Sequence, residues 1–181
     1  MERSELVRSA RDGDRDAYDI LLTESIDAMY RVARLILRDY DSASDAVQEA
    51  LVRCWRDLPR LREPERFDAW LNRILLRAIT DEARNRRRNR VGVTPLPVAI
   101  QADGSDALAD RDQLARVFGR LSIEHRAIVV LHHYVGMNPD EAASTLGIPV
   151  GTAKSRLHYA TVALRAALDA DARASAGRAL A

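Results

Sequence analysis

Lysine is almost missing from this 181-residue sequence: of 28 basic residues only Lys154 is lysine, and the rest are arginine. Cysteine is as scarce. Cys54 stands alone, which excludes an intrachain disulfide. Set beside Trp55 in an apolar helical pattern, it reads as a small core residue rather than a redox or metal group. No apolar run approaches the roughly 18 residues of a membrane span. The opening "MERSELVRSARDGDRD" is charged and lacks the apolar centre of a signal peptide. A soluble, cytoplasmic protein without membrane insertion is expected. No cluster of acid, base and nucleophile emerges, and no glycine-rich phosphate loop. His132 and His133 are adjacent, so they cannot form the i, i+4 pair of a zinc site. The expectation is therefore no enzyme, no cofactor and no metal. A formal net charge of +1 leaves the partners open.

What is there is helix-forming. Hydrophobic residues make up 47% of the chain but aromatics only 5%; Ala, Leu and Arg dominate, and long stretches lack Gly and Pro. An all-α fold is expected. The chain divides at "VGVTPLPVAIQADGS", residues 91–105, which holds two prolines and two glycines and no arginine. This gives two small helical domains: residues 1–90, a flexible linker over 91–106, and residues 107–170, with a tail at 171–181. Just before the linker, "RNRRRNR" at residues 84–90 carries five arginines in seven positions.

In the first block, Leu6, Val7 and Ala10 mark a short helix ending at Gly13. Asp14 caps a second, with Ala17, Tyr18, Leu21, Leu22, Met29, Tyr30, Ala33 and Leu37 facing inward. A third starts within residues 41–45 and buries Val47, Leu51, Cys54, Trp55 and Leu58. Pro64 fits the first position of a fourth, whose stripe is Phe67, Trp70, Leu71, Ile74, Leu75 and Ala78. In the second block, helices are expected over residues 107–119 and 122–135, the latter burying Ala127, Ile128, Val130 and Leu131.

The stretch from Asn138 onward is the most informative. Asn138 caps, Pro139 takes the first helical position, and Asp140 and Glu141 suit the positive end of the helix dipole. Ala142, Ala143 and Leu146 face inward, Gly147 permits a left-handed stop, and Ile148 plugs the corner. A second helix begins near Val150, with Val150, Ala153, Leu157 and Leu164 inside. Short helix, glycine turn and second helix make a helix-turn-helix pattern. The pattern alone also fits an ordinary helical hairpin. Where such a unit binds DNA, the N-terminal end of its second helix lies nearest the bases of the major groove. Gly151, Thr152, Lys154, Ser155 and His158 occupy the side away from the stripe. Gly and Thr are small enough for close approach; lysine suits guanine O6 and N7; Ser and His donate or accept. Arg156 and Arg165 suit phosphate.

Residues 138–165, and "GIPVGTAKSRLHYA" above all, resemble the C-terminal DNA-binding region of bacterial RNA polymerase sigma factors of the extracytoplasmic-function (ECF) group. The first block agrees independently. "DAVQEALVRCWRDL", residues 45–58, is similar to the helix with which such factors grip the clamp of core RNA polymerase. "FDAWLNRILLRAITDEARNRRR", residues 67–88, is similar to the segment that melts and reads the −10 element. The resemblance covers roughly residues 4–168 and implies a sigma region 2 followed by a sigma region 4. It implies polymerase contacts at Asp45, Gln48 and Glu49, and a base-trapping loop in "RLREPERF", residues 60–67. It implies a cationic −10 track at Arg73, Arg77, Arg84, Arg86, Arg87 and Arg88. Arg77 stands where many relatives carry a base-contacting asparagine, which leaves the −10 sequence open. Trp70 fits the core better than a strand-separating wedge, and Trp55 reads as core with a contact edge. For the −35 element the resemblance implies Lys154, Ser155 and His158 as readers, Arg156 on phosphate, and Gly151 and Thr152 at a tightly packed helix start. It further implies core RNA polymerase and promoter DNA as partners, an inhibitory anti-sigma protein, a monomer when free, and no appended regulatory domain. The other reading of the pattern is a stand-alone helix-turn-helix regulator. That reading needs a dimer interface, of which the sequence offers no sign, and leaves "DAVQEALVRCW" unexplained.

Overall fold

The computed structural model describes the backbone of residues 2–89 and 115–179, and side chains through residue 88, from 115 to 170, and at 173. The described residues form two compact helical units, and every regular element among them is helical. The linker, and the expected helix at 107–119 as far as residue 114, lie outside the described residues.

The first unit contains α1 (Arg3–Arg11), α2 (Arg15–Leu37), α3 (Tyr40–Asp57) and α4 (Phe67–Asn89). Two short 3-10 turns, Leu58–Arg60 and Pro64–Arg66, join α3 to α4. Each start has a chemical cause. Gly13 turns the chain at a φ of 104°, a region that L side chains avoid. The Asp14 carboxylate then accepts from the Asp16 and Ala17 N–H groups and from the Ser9 hydroxyl. The Ser9 bond leads in holding its pKa below the usual carboxylate range, followed by that from Ala17. The cap of α3 is Asp39, which accepts from the Ser42 N–H at 2.9 Å, so the helix begins ahead of the expected 41–45. Pro64 opens a 3-10 turn rather than α4 itself.

Val7, Leu21, Ile36, Val47, Cys54, Leu58, Phe67, Leu75 and Ile79 make the dry centre of this unit. Each large apolar side chain removed from water contributes roughly 1.5–3 kcal/mol. Several core assignments shift. Leu22, Tyr30 and Leu51 are only half-buried. Trp55 is 48% exposed. One helical position beyond buried Cys54, it has rotated outward, and its ring edge rests on Tyr18 with centroids 4.7 Å apart. Trp70 is half-buried and leans on Phe67.

The described part of the second unit opens with helical residues 115–120 and continues with α5 (Ile123–Val129), capped by the Ser122 hydroxyl on the His125 N–H. A single helix over 122–135 is not what forms. Val130–Tyr134 winds as a π-helix: the Val135 N–H reaches the Val130 carbonyl at 3.0 Å and the Met137 N–H reaches Leu131 at 2.9 Å. His132 Nδ1 donates to the Met137 carbonyl at 2.8 Å, which satisfies an acceptor at the end of this wider turn. Next come α6 (Pro139–Leu146) and α7 (Val150–Ala179). α7 packs on α5, with Ala153 and Ala160 fully buried and two turns apart; alanines let two helix backbones approach closely. Val150, in the first turn of α7, is 40% exposed rather than inside, and Leu157 and Leu164 are half-buried.

Candidate nucleic-acid interface

The helix-turn-helix is built by local chemistry. The Asn138 side chain accepts from the Asp140 and Glu141 N–H groups at 3.0 and 2.9 Å. Glu141 reaches back to the Asn138 N–H at 2.8 Å. This reciprocal cap satisfies three donors at the start of α6. Gly147 leaves α6 at a φ of 65°, and the Ile148 N–H closes on the Ala143 carbonyl at 3.1 Å. The Pro149 carbonyl then accepts from Thr152 and Ala153 N–H, at 2.9 and 3.1 Å, and starts α7.

Buried Ala153 fixes the rotation of α7, so Gly151, Lys154, Ser155 and His158 all come to the exposed side. Thr152 and Arg156 are half-buried at its edges, and Arg165 is exposed two turns further on. The first turn of α7 carries no acidic residue of its own, so no carboxylate on this helix offsets the positive end of its dipole. Gly151 is not squeezed by the protein: a Cβ there would meet nothing within 4 Å. Its smallness therefore leaves room on the outside, and the expected tight packing at this position is absent. The Ser155 hydroxyl donates to the Thr152 carbonyl at 3.0 Å and keeps a lone pair outward. The His158 ring stands edge-on to Tyr159. Lys154 Nζ lies 3.4 Å from the Asp140 carboxylate. Sequence reasoning placed Asp140 at a helix dipole and missed this pairing, which only the turn geometry creates.

On the first unit, Asp45, Gln48 and Glu49 all lie exposed on one side of α3, as their three- and four-residue spacing requires. Glu49 accepts from Arg53 at 2.7 Å, and Arg53 also reaches Asp81 on α4 at 3.0 Å. The hydrogen bond to Glu49, opposed by burial and reinforced by that to Asp81, raises the Arg53 pKa further. Arg53 is thus a missed partner whose signal, an i, i+4 acid–base pair, was present in the sequence. Val52 and Trp55 extend the face as exposed apolar surface.

The α4 arginines do not act as one row. At 3.6 residues per turn, Arg73, Arg77, Arg84, Arg87 and Arg88 fall within an arc of about 100°. Arg77, Arg84, Arg87 and Arg88 are exposed, and Arg73 is half-buried. Arg84 pairs with Asp81 at 3.6 Å, and Arg88 donates to Asn85 at 2.6 Å. Arg86 lies on the opposite side and meets Asp39, the cap of α3, at 2.8 Å. The loop at residues 60–67 is pinned from outside. Leu61, Pro64 and Phe67 are buried. Arg8 of α1 holds Glu65 at 2.8 Å, and Arg3 joins Asp68, Glu24 and Ser25. Nothing local in the sequence announces pairs 57 and 65 positions apart. Among the described residues no group of acidic, histidine or cysteine side chains is arranged to hold a metal, and no helix is long and apolar enough to cross a membrane.

An outward acidic face, an arginine stripe and a helix-turn-helix that exposes Lys154, Ser155 and His158 at the start of its second helix, carried on two helical units, suit a DNA-directed transcription protein. Comparison with known families makes the class specific. Sigma-70 region 2 matches residues 21–89 and Sigma-70 region 4 matches residues 111–164. The RNA polymerase sigma-E factor of Streptomyces coelicolor is 36% identical over 151 residues, covering 82% of this chain and 85% of the relative. The ECF RNA polymerase sigma factor SigL of Mycobacterium tuberculosis is 38% identical over 153 residues, covering 82% and 86%. Among solved structures, CnrH in complex with the cytosolic domain of CnrY matches with a TM-score of 0.68 at 30% identity, over 93% of this chain and 98% of that one. The sigma factor RpoE in complex with the anti-sigma factor NepR, from Bartonella quintana, matches with a TM-score of 0.72 at 27% identity, over 85% and 98%. The chain belongs to the extracytoplasmic-function group of the sigma-70 family and is an RNA polymerase sigma factor.

Proposed function

We propose that this sigma factor divides its work between the two units. Region 2, residues 1–90, docks on core RNA polymerase through Asp45, Gln48 and Glu49 and handles the −10 element. Region 4, residues 107–170, reads the −35 element, and residues 91–106 link them. The observation that carries this reading is the exposure of Lys154, Ser155 and His158 together at the N-terminal end of α7, where a helix-turn-helix meets base edges. Lys154 donates to guanine O6 or N7, a contact worth roughly 1–3 kcal/mol of discrimination. Arg156 and the open surface at Gly151 and Thr152 serve the adjacent backbone.

At the −10 element the loop at 60–67 receives an unstacked base, while Arg73, Arg77, Arg84, Arg87 and Arg88 follow the phosphates. Arg86 serves the same track only if it leaves Asp39. Strand separation draws on this binding energy; the catalytic groups for RNA synthesis belong to the polymerase. Two small modules on a linker bind promoter DNA weakly alone and strongly once the polymerase spaces them, through effective concentration. The similar solved structures hold CnrH with the cytosolic domain of CnrY, and the sigma factor RpoE with the anti-sigma factor NepR. An anti-sigma protein that covers the α3 face and α7 is therefore part of this reading, as are a cytoplasmic setting and a monomer when free.

Run-off transcription with purified core polymerase tests it. Promoter-specific transcripts that appear only on addition of the chain are expected. Core polymerase that neither retains the chain nor initiates with it overturns the proposal.

A further inference from the structure

Asp140 is the carboxylate set against the one lysine of the chain. Its own helix does not need it as a cap, because Asn138 and Glu141 already satisfy the start of α6. It is well exposed, as is Lys154, so the ion pair adds little to stability. From this placement we infer that Asp140 is a specificity-determining residue of region 4: it suppresses capture of Lys154 by DNA phosphates and leaves the ammonium free to read a base. The inference rests on the assignment of α7 as the −35 reader.

The physical argument turns on what each acceptor offers. A phosphate attracts a bare ammonium wherever it lies on the duplex, so an uncompensated Lys154 would strengthen binding to every sequence alike. A carboxylate 3.4 Å away cancels most of that long-range attraction and repels an approaching phosphate. Guanine O6 and N7 carry partial charges and reward directed N–H groups. An ammonium has three donors on a flexible stem. It can keep one toward Asp140 and turn another to the base. An arginine in its place would spread a rigid fork over the carboxylate or a phosphate and lose that division.

The test uses the full chain assembled with core polymerase. A −35 sequence selected by the wild-type holoenzyme from a randomised library is compared with a scrambled duplex across a salt series. Asp140→Asn is expected to raise affinity for the scrambled duplex several-fold and to leave the selected one within about twofold. The salt slope on the scrambled duplex should steepen by about 0.9, the value of one added phosphate contact. Asp140→Glu, which restores the charge, should stay close to wild type. In a Lys154→Ala background the Asp140→Asn effect should vanish. If Asp140→Asn leaves ratio and slope unchanged while Lys154→Ala lowers the ratio, the inference fails and α7 remains the reader. An Asp140→Asn effect that persists without Lys154 also overturns it, since general charge would then be the cause. If Lys154→Ala itself changes nothing, the −35 assignment fails and takes the inference with it.

Discussion

Removing the Asp39 carboxylate should weaken the first unit by separable amounts. This side chain does two things at once: it caps α3 through the Ser42 N–H and it pairs with Arg86 from the far end of α4. A cap of this kind is worth about 1 kcal/mol. The ion pair is only partly screened, with side-chain exposures of 21% for Asp39 and 31% for Arg86. That puts it near the top of the range for exposed pairs, about 1 kcal/mol. Asn caps as well as Asp, so Asp39→Asn should lose only the pair, about 1 kcal/mol, and Asp39→Ala both, about 2 kcal/mol. For a domain of this size 1 kcal/mol shifts Tm by roughly 4–8 °C. Burial pushes the Asp39 pKa up, but the Ser42 N–H and hydroxyl and the Arg86 guanidinium outweigh it, and the net shift is downward. A depressed carboxylate pKa stabilises above the unfolded value, near 3.9, and the effect is lost as pH falls through the folded value. The gap between wild type and Asp39→Asn should therefore close below about pH 4. Urea unfolding followed by tryptophan fluorescence reads this unit alone, because both tryptophans, Trp55 and Trp70, lie in it. Asp39→Asn as stable as wild type at pH 7, or Asp39→Asn and Arg86→Ala effects that simply add, would refute the reasoning.

The same geometry carries three further expectations. Glu49→Arg should lower affinity for core polymerase, by reversing a charge on the α3 face, while helicity by circular dichroism is retained; undiminished co-purification with the polymerase would contradict it. Arg87→Ala together with Arg88→Ala should flatten the salt dependence of open-complex formation by about 0.7 for each single-strand phosphate left without its arginine, whereas adding Arg86→Ala should chiefly cost stability through Asp39. Cys54 should resist alkylation in the native protein near neutral pH and react promptly in denaturant, because burial pushes its thiol up to about 11; rapid native labelling, detected by mass, would show that the α3 core opens.

Much of the architecture could be read from local signals, because its causes are local. Asp14, Asn138, Gly13 and Gly147 each punctuate the chain through their own backbone chemistry, and all four act where expected. The exposure of Gly151, Lys154, Ser155 and His158 on α7 follows from helical period, since Ala153 is buried and these neighbours face away, although the same period put Val150 inside, where it is not. Most features that escaped notice depend on partners distant along the chain or on how a helix distributes neighbouring residues around its axis; the local Arg53–Glu49 pair is the exception. Trp55 is large and apolar, yet its position one step beyond Cys54 turns it outward. "RNRRRNR" reads as one cationic run, but a helix distributes it around its axis and gives Arg86 to Asp39. Asp140 suits a helix start so well that its second role emerges only when the turn brings Lys154 beside it.

The π-turn at Val130–Tyr134 makes chain length a functional variable. A wider turn accommodates an extra residue without rotating the downstream chain as an α-helix would. Deleting one residue there would restore ordinary α-helix with the downstream chain still in register, whereas one more inserted residue, which the turn has no room left to absorb, would rotate it by about 100°, one residue's share of a 3.6-residue turn. After such an insertion Lys154, Ser155 and His158 would keep their identities and face another way. A segment with no assigned contact to DNA would thus tolerate a deletion better than an insertion.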